Sequence, residues 1–311
     1  MAYYIFHIPS KTHPKELTKI NESVYCFSSK EINIFSDFEV HQYCICLVVN
    51  AESDTKVKKA IKDFIITLNI FHQNQGAIRW FSEMFLPKHL TIDDSIENIY
   101  FQYRNPIELP IFFSFDFNEM EIHFFSLYRP KFSFIELYNK LTELPESDFI
   151  YKSLSFLAII NPITMFTHNI FDNALLENTL QFQLFETIMN EYNPESKELQ
   201  SICPKCKRKN GRGINKRIED FLNMEKFKSP EDKIAFIKSA KKVAATRHKF
   251  SHRLEGKSHT AYHEENIIPN LGSGCTIYLK EDIEYCDGTI QAVNNVKILN
   301  TVILLDKLLQ K

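Results

Sequence analysis

Residues 244–256, AATRHKFSHRLEG, place three cations and two histidines close together in a segment with the pattern of a helix. Arg247 and His252 are separated by four residues, and His248 directly follows the arginine. The unperturbed pKa of histidine is about 6.5, so its imidazole can accept or donate a proton at neutral pH. Arginine stays cationic and suits the charge that develops on phosphoryl oxygens. These residue types fit RNA cleavage, in which a ribose 2′-hydroxyl attacks the neighbouring phosphate.

An excess of positive charge surrounds this pair. Residues 203–257 contain 17 Lys and Arg against 6 Asp and Glu, although the whole chain has a net charge of −2. A basic block inside an otherwise acidic protein indicates a polyanionic partner. A solvated linker or helix face would have the same composition and is the alternative interpretation.

The element that must position these residues is a predicted helix over residues 229–254. Ser229 is suited to the N-cap, Pro230 to the first helical position and Gly256 to the stop. A single stripe at helical spacing is expected to face a bundle: Ile237, Ala240, Ala244, Arg247, Ser251 and Leu254. His252 is turned by about 140° from Arg247. The two side chains can therefore converge on one groove that a second helix or subunit completes.

The remaining sequence predicts an α+β protein with a β-rich N-terminal domain and a C-terminal helical bundle. Aromatic and β-branched runs predict strands at 3–8, 39–50, 98–103, 111–117 and 121–128. Apolar residues at helical spacing predict helices at 55–71, 133–144, 147–160, 169–192, 214–223, 229–254 and 288–311. The predicted domains are 1–148, with a sensing or regulatory role, and 149–311, which carries a CxxC loop insertion.

The Arg247–x4–His252 segment, with polar His248 after the arginine, resembles the R-x(4–6)-H motif of HEPN domains, and the resemblance covers residues 149–311. Within that family the arrangement is similar to ApeA-like abortive-infection proteins, which also join a β-rich region to a HEPN bundle. The resemblance implies a metal-independent endoribonuclease of a bacterial defence or toxin system, with no cofactor for catalysis. It implies a homodimer whose two motifs form one composite site, with a phage-derived trigger or an antitoxin as further partner. The RNA phosphates would be bound by Lys241, Lys242, Lys249 and Arg253.

The cysteines suggest a second kind of site. Cys203 and Cys206 form a CPKC sequence, which has the spacing of half a structural zinc site. Cys275 and Cys286 are the candidate remaining ligands, and the H-x3-H pair His259 and His263 offers an alternative. A pair of reduced cysteines without metal is an equally open interpretation. A thioredoxin-like redox role is disfavoured, because we predict no strand before Cys203.

Other functional classes find less support. The residue after His248 is Lys249, so the HEXXH pattern of a metalloprotease is absent. A second match to the arginine–histidine spacing, Arg253–x5–His259, crosses Gly256, where we expect the helix to end. The main competing hypothesis is a catalytically silent module that binds nucleic acid or protein through the basic block and a zinc-ribbon-like CxxC.

The sequence also predicts a cytoplasmic protein without a membrane partner. The N-terminus lacks the basic and apolar regions of a signal peptide. The apolar run CICLVV at 44–49 has the length of a strand, well short of the roughly 18 residues that a membrane span needs. Seven cysteines in a chain of this size fit a reducing compartment.

Overall fold

The structure is a computed structural model that describes residues 2–9, 13–14, 16–30, 43–71, 95–104, 114–115, 117, 121–122, 132–164, 170–194, 199–202, 209–211, 213–254 and 280–311. In parts of several elements only the backbone is described, among them residues 247–254 and 280–290. The chain divides into two compact units. The first comprises Met1–His123, Pro130–Pro162 and Leu304–Lys311, and the second comprises Phe124–Arg129 and Ile163–Ile303. The predicted domain boundary at residue 148 stays a prediction.

An antiparallel sheet of four strands forms the centre of the first unit. Its strands are β1 (Ala2–Pro9), β3 (Thr18–Asn21), β4 (Val24–Lys30) and β5 (Tyr43–Ala51), in the order β1-β5-β4-β3. The register pairs Ile5 with Val48 and Phe27 with Cys46. Because β5 lies between β1 and β4 and both of its faces are covered, its sequence is a continuous apolar run rather than an alternating one.

Helices cover both faces of this sheet. On one face, α1 (Asp54–Phe71) and α3 (Phe134–Glu143) pack against Ile45, Leu47 and Val49 of β5. On the other face, α2 (Ile96–Tyr103) packs against Cys46 and Val48. Alternate residues of β5 therefore enter two separate hydrophobic clusters, as the two-residue period of a strand requires.

Helix α2 occupies residues 98–103, where the sequence predicted a strand, so that prediction is wrong. Ser95 is its N-cap, and the Ser95 side chain accepts a hydrogen bond from the N–H of Asn98 at 3.3 Å. The residues that pack toward the sheet are spaced at helical intervals: Ile96, Ile99, Tyr100 and Tyr103. A residue on the opposite side, Phe101, is 63% exposed. The aromatic content suggested a strand, but this spacing and the cap favour a helix.

The later part of the chain is largely helical, which confirms the predicted α+β fold class. Its helices are α4 (Phe149–Thr164), α5 (Ile170–Tyr192), α6 (Ile214–Met224), α7 (Pro230–Leu254) and α8 (Lys280–Leu309). The helices predicted at 147–160, 169–192, 214–223 and 229–254 are confirmed. The last helix begins at Lys280 rather than at 288, so Cys286 lies within a helix and not in the loop where it was expected.

Three short strand pairs complete the described elements. β2 (His13–Pro14) pairs with β6 (Ser114–Phe115) in parallel, and β7 (Glu121–Ile122) pairs with β8 (Phe132–Ser133) in antiparallel fashion. β9 (Leu199–Ile202) and β10 (Lys209–Gly211) form an antiparallel pair. The strands predicted at 111–117 and 121–128 are thus present over two residues each, and most of their remaining residues lie outside the described part of the chain.

Candidate functional site

Helix α7 carries the predicted catalytic residues, and its beginning is fixed as the sequence predicted. The Ser229 hydroxyl accepts a hydrogen bond from the N–H of Asp232 at 3.1 Å and also donates to the Asp232 carboxylate. Pro230 occupies the first helical position, and Glu231 lies in the first turn with Asp232. These features stabilise the N-terminus of α7, because the cap satisfies a backbone donor and the carboxylates face the positive end of the helix dipole.

The buried face of α7 leads to Arg247 in the helical register. Phe236, Ala240, Val243 and Ala244 are buried, whereas Ile237, which was expected on this face, is only half-buried. A residue four positions after Val243 and seven after Ala240 returns to the same face of an α-helix. The backbone of α7 therefore places position 247 on the face that packs inside the second unit. Of the predicted stripe, Ala240 and Ala244 are buried, while the side chains of Arg247, Ser251 and Leu254 lie outside the described part of the chain, so the inward position of Arg247 stays a prediction.

The two histidine positions lie on a neighbouring stripe. His248 is seven residues after Lys241, and His252 is a further four residues along, so the register aligns all three. Ala245 lies on the same side and is exposed. Arg247 and His252 thus lie on one continuous helix and are turned by about 140° from each other, the angular separation that their spacing predicts.

The predicted RNA-binding cations divide into two groups. Lys241 forms an ion pair with Glu219 of α6, and the two side chains are 32% and 37% exposed. Lys242 has no ion pair among the described residues. Positions 249 and 253 follow Lys242 by seven and eleven residues, so the register places these three on one stripe. Relative to Arg247, positions 249, 242 and 253 are turned by about 200°, 220° and 240°, so this stripe is separated from the arginine by about the same angle as His252 but in the other direction around the helix.

A group of buried amides lies among α5, α7 and α8. Asn178 and Gln181 of α5 and Asn300 of α8 are fully buried. The Asn178 Nδ2 donates to the carbonyl of Val243 in α7 at 3.2 Å, and the Asn300 Nδ2 donates to the Gln181 side chain at 2.9 Å. Among the described residues, three atoms of this group have no hydrogen-bond partner: Asn178 Oδ1, Gln181 Nε2 and Asn300 Oδ1. No motif or spacing considered above pointed to this group; its signal in the sequence is the pair of amides, Asn178 and Gln181, three residues apart beside the buried Phe182 and Phe185 of α5.

The first unit contains a separate buried polar centre around Asp63. One carboxylate oxygen accepts a hydrogen bond from the Tyr151 hydroxyl at 2.7 Å, and the other accepts from Lys59 at 2.7 Å. Lys59 also donates to the carbonyl of Thr142 at 3.1 Å. Burial raises the pKa of Asp63, and the hydrogen bonds from Lys59 and Tyr151 oppose that shift. Both oxygens are satisfied, so this centre acts as a polar connection of α1 with α3 and α4.

The CPKC sequence stands between two paired strands. Ile202 at the end of β9 pairs with Lys209 at the start of β10, and residues 203–208 connect them. The expectation that no strand precedes Cys203 is therefore wrong. Cys203, Cys206, Cys275, His259 and His263 lie outside the described residues, and for Cys286 only the backbone is described. Among the described residues, no cluster of three or more His, Cys, Asp and Glu side chains has a geometry that could hold a metal ion.

Strands on both sides of a CxxC fit a structural zinc half-site better than a redox site. In a zinc ribbon or knuckle, two thiolates lie at the turn of a β-hairpin, whereas a thioredoxin-like CxxC lies where a strand meets a helix start. Here the second element is β10, and helix α6 begins only at Ile214. The donor set would suit zinc, because thiolates are soft ligands that a borderline-soft ion such as Zn²⁺ binds well.

Comparisons with known proteins add no information about the fold or the function of this chain. No family model, no curated protein and no solved structure matches the chain. Among the helices of the described residues, none is both long enough and apolar enough to cross a membrane.

Proposed function

We propose that the protein is a metal-independent endoribonuclease of a bacterial defence or toxin system. Arg247 and His252 would form its active site, and His248 would assist them. The observation that supports this most strongly is the register of α7. It puts Arg247 at the end of a buried stripe and His252 about 140° away on the same helix, so that a groove completed by a second helix or subunit can hold both. A resemblance to HEPN domains at these residues points to the same chemistry.

The proposed reaction needs no metal or redox partner. A histidine accepts the proton of the ribose 2′-hydroxyl, and the 2′-oxygen attacks the adjacent phosphorus. The bond from phosphorus to the 5′-oxygen of the next nucleotide breaks, and that oxygen takes up a proton from an acidic group. The products are a 2′,3′-cyclic phosphate and a 5′-hydroxyl. Arg247 stabilises the negative charge on the phosphoryl oxygens in the transition state.

A composite site accounts for the separation of the cations on α7. The basic stripe of Lys242, Lys249 and Arg253 is turned by about 120° to 160° from Arg247 in the register, so one helix does not present all four cations to one phosphate group. In a homodimer formed through the helical part, the stripe of one subunit can approach the Arg247–His252 pair of the other. We propose this homodimer, a cytoplasmic location, RNA as substrate, and regulation by the N-terminal region in response to a phage-derived trigger or an antitoxin.

The alternative function is a nucleic-acid- or protein-binding module without catalysis. The observation that favours it is the β9–β10 pair around Cys203 and Cys206, since a zinc ribbon next to a basic helix can hold a polyanion by itself. In this alternative the basic stripe contributes affinity and the histidines have no chemical role.

One assay separates the two functions. Purified protein is incubated with total RNA, with and without a chelator, and the ends of any fragments are analysed. The nuclease proposal expects fragments with 2′,3′-cyclic phosphate and 5′-hydroxyl ends in both conditions, and no cleavage of DNA of the same sequence, which lacks the 2′-hydroxyl. Binding without cleavage under every trigger tested would support the binding module instead.

A further inference from the structure

We infer that Asn178 is a positioning residue, which anchors the turn of α7 where the Arg247–His252 segment begins. The inference rests on the proposed function, because it assigns Asn178 its role through Arg247. Asn178 lies on α5, far from the arginine in sequence, and neither motif nor spacing pointed to it. Three observations support it: the group that Asn178 bonds, its buried Oδ1 for which the described part of the chain offers no hydrogen-bond partner, and the position of that bond along α7.

The bond from Asn178 reaches the carbonyl that closes this turn. Its Nδ2 donates to the oxygen of Val243 at 3.2 Å, within a buried environment. In an α-helix the N–H of residue i donates to the carbonyl of residue i−4, so the same oxygen accepts the N–H of Arg247. A carbonyl oxygen has two lone pairs and can accept both bonds. Asn178 thus ties the backbone at the start of the motif to a separate helix.

A buried amide at position 178 destabilises the folded state relative to an apolar side chain if its only role is to fill the core. Asn178 is fully buried, and its Oδ1 has no hydrogen-bond partner among the described residues. Leaving a buried acceptor unsatisfied destabilises the folded state, whereas a leucine of similar size would avoid that loss. The Val243 carbonyl does not need the side chain, because the helix already supplies it with a donor. A buried amide with this cost, bonded to the backbone at the start of the motif, therefore points to a positional role.

Two other arrangements of buried amides serve as comparisons for Asn178: the Gln181–Asn300 pair in the second unit and Asn69 in the first unit. Gln181 and Asn300 bond to each other, so their amides join α5 to α8 and do not involve the motif. Asn69 in the first unit repeats the arrangement of Asn178: it is buried, its Nδ2 donates to the carbonyl of Ala158 at 3.4 Å, and its Oδ1 lacks a partner among the described residues. Asn69 therefore has the same kind of hydrogen bond and burial as Asn178 but makes its bond to α4 and not to α7.

The experiment compares Asn178→Leu with Asn69→Leu in the full-length protein. Both substitutions replace a buried amide by an apolar side chain of similar size, so both proteins should fold with melting temperatures at or near the parent value. We expect Asn178→Leu to reduce the cleavage rate at saturating RNA by about 10- to 100-fold, with KM within about twofold of the parent, because an interaction that matters in the transition state is lost. Asn69→Leu should cleave like the parent. Equal rates for the two variants would overturn the inference while leaving the nuclease proposal intact.

A second readout does not depend on catalysis. Amide hydrogen exchange in peptides covering residues 244–254 should be faster in Asn178→Leu than in the parent, and unchanged in Asn69→Leu, because the anchor limits local opening of α7. If the parent cleaves no RNA, the proposed function fails, and this exchange measurement decides the anchoring by itself. Unchanged exchange in residues 244–254 of Asn178→Leu would then contradict it.

Discussion

Lys241 of α7 forms an ion pair with Glu219 of α6 and joins the two helices on the side where the histidine stripe begins. The hydrogen bond and the charge of Lys241 hold the pKa of Glu219 below its usual range. Lys241 was expected to bind RNA together with Lys242, its neighbour in sequence. In the ion pair the charge of Lys241 is already balanced by a carboxylate, whereas Lys242 has no such partner among the described residues.

The neighbouring lysines should therefore contribute unequally to RNA binding. Lys242→Ala should weaken binding and reduce the slope of log affinity against log salt by roughly 0.7 to 1, as expected for one lost phosphate contact. Lys241→Ala should change that slope much less, because its charge is already neutralised by Glu219. Filter binding of a single-stranded RNA over a salt series checks this. Equal slopes for the two variants would indicate that the ion pair opens in the complex.

The buried carboxylate of Asp63 should give stability a characteristic pH dependence. Burial raises the pKa of Asp63 above 3.8 in the folded chain. At pH values between 3.8 and the pKa of the folded chain, the folded state therefore binds more protons than the unfolded state. The contribution of Asp63 to the free energy of unfolding should then fall as the pH rises through this window. Urea unfolding at several pH values should show Asp63→Asn gaining stability relative to the parent as the pH increases.

Asp148 provides a control of opposite sign. Burial raises its pKa, but hydrogen bonds from Lys311 and from the N–H of Ile150 outweigh burial and hold the pKa below the usual value. Its contribution to stability is present above that usual value and is lost as the pH falls. Asp148→Asn should therefore lose stability relative to the parent at neutral pH, with a difference that shrinks in acid. The same pH trend for both variants would contradict these assignments.

The β9–β10 pair leads to a prediction about metal. If Cys203 and Cys206 bind structural zinc, freshly purified protein should contain about one zinc per chain, and Cys203→Ser should lose the metal and lower the melting temperature. Cys26→Ser is a suitable comparison, because Cys26 is a buried thiol in the sheet and its loss should leave the zinc content unchanged. Metal analysis that finds no zinc in the parent would exclude the site.

Much of the architecture could be predicted from local patterns, and the failures have physical causes. The cap at Ser229 and the apolar stripe of α7 depend only on residues that are close together in the sequence, so both could be predicted from it. Helix α2 was missed because aromatic residues favour strands on average, although Ile96, Ile99 and Tyr103 already had helical spacing. β9 was missed because a strand of four residues is too short for alternation to be recognised.

The candidate site was only partly predictable, because its support comes from distant parts of the chain. The positions of Arg247 and His252 along one helix followed from spacing. The contact of Asn178 with Val243 joins residues that are 65 positions apart, and no local pattern indicates it. The pairing of Lys241 with Glu219 likewise depends on how two helices pack, which the sequence of either helix does not specify.

Cleavage at the proposed site should depend on Arg247 as well as on His252. Arg247→Lys keeps a positive charge but loses the planar group that can contact two phosphoryl oxygens, so its cleavage rate should fall strongly while RNA affinity changes little. Lys249→Ala changes a residue of the basic stripe of Lys242, Lys249 and Arg253. It should instead weaken RNA binding and leave the cleavage rate at saturating RNA near the parent value. Single-turnover cleavage combined with binding measurements separates these effects.

The most direct test of the central claim is the single-turnover cleavage rate of His252→Ala at saturating RNA. With His259→Ala as a control outside the motif, the account predicts that His252→Ala folds and forms dimers like the parent, binds RNA, and cleaves about 100- to 10,000-fold more slowly, which is the range that general acid–base catalysis supplies. His259→Ala should cleave at the parent rate. Cleavage by His252→Ala at the parent rate would contradict the assignment of His252, and a parent protein that cleaves no RNA under any trigger would contradict the nuclease proposal as a whole.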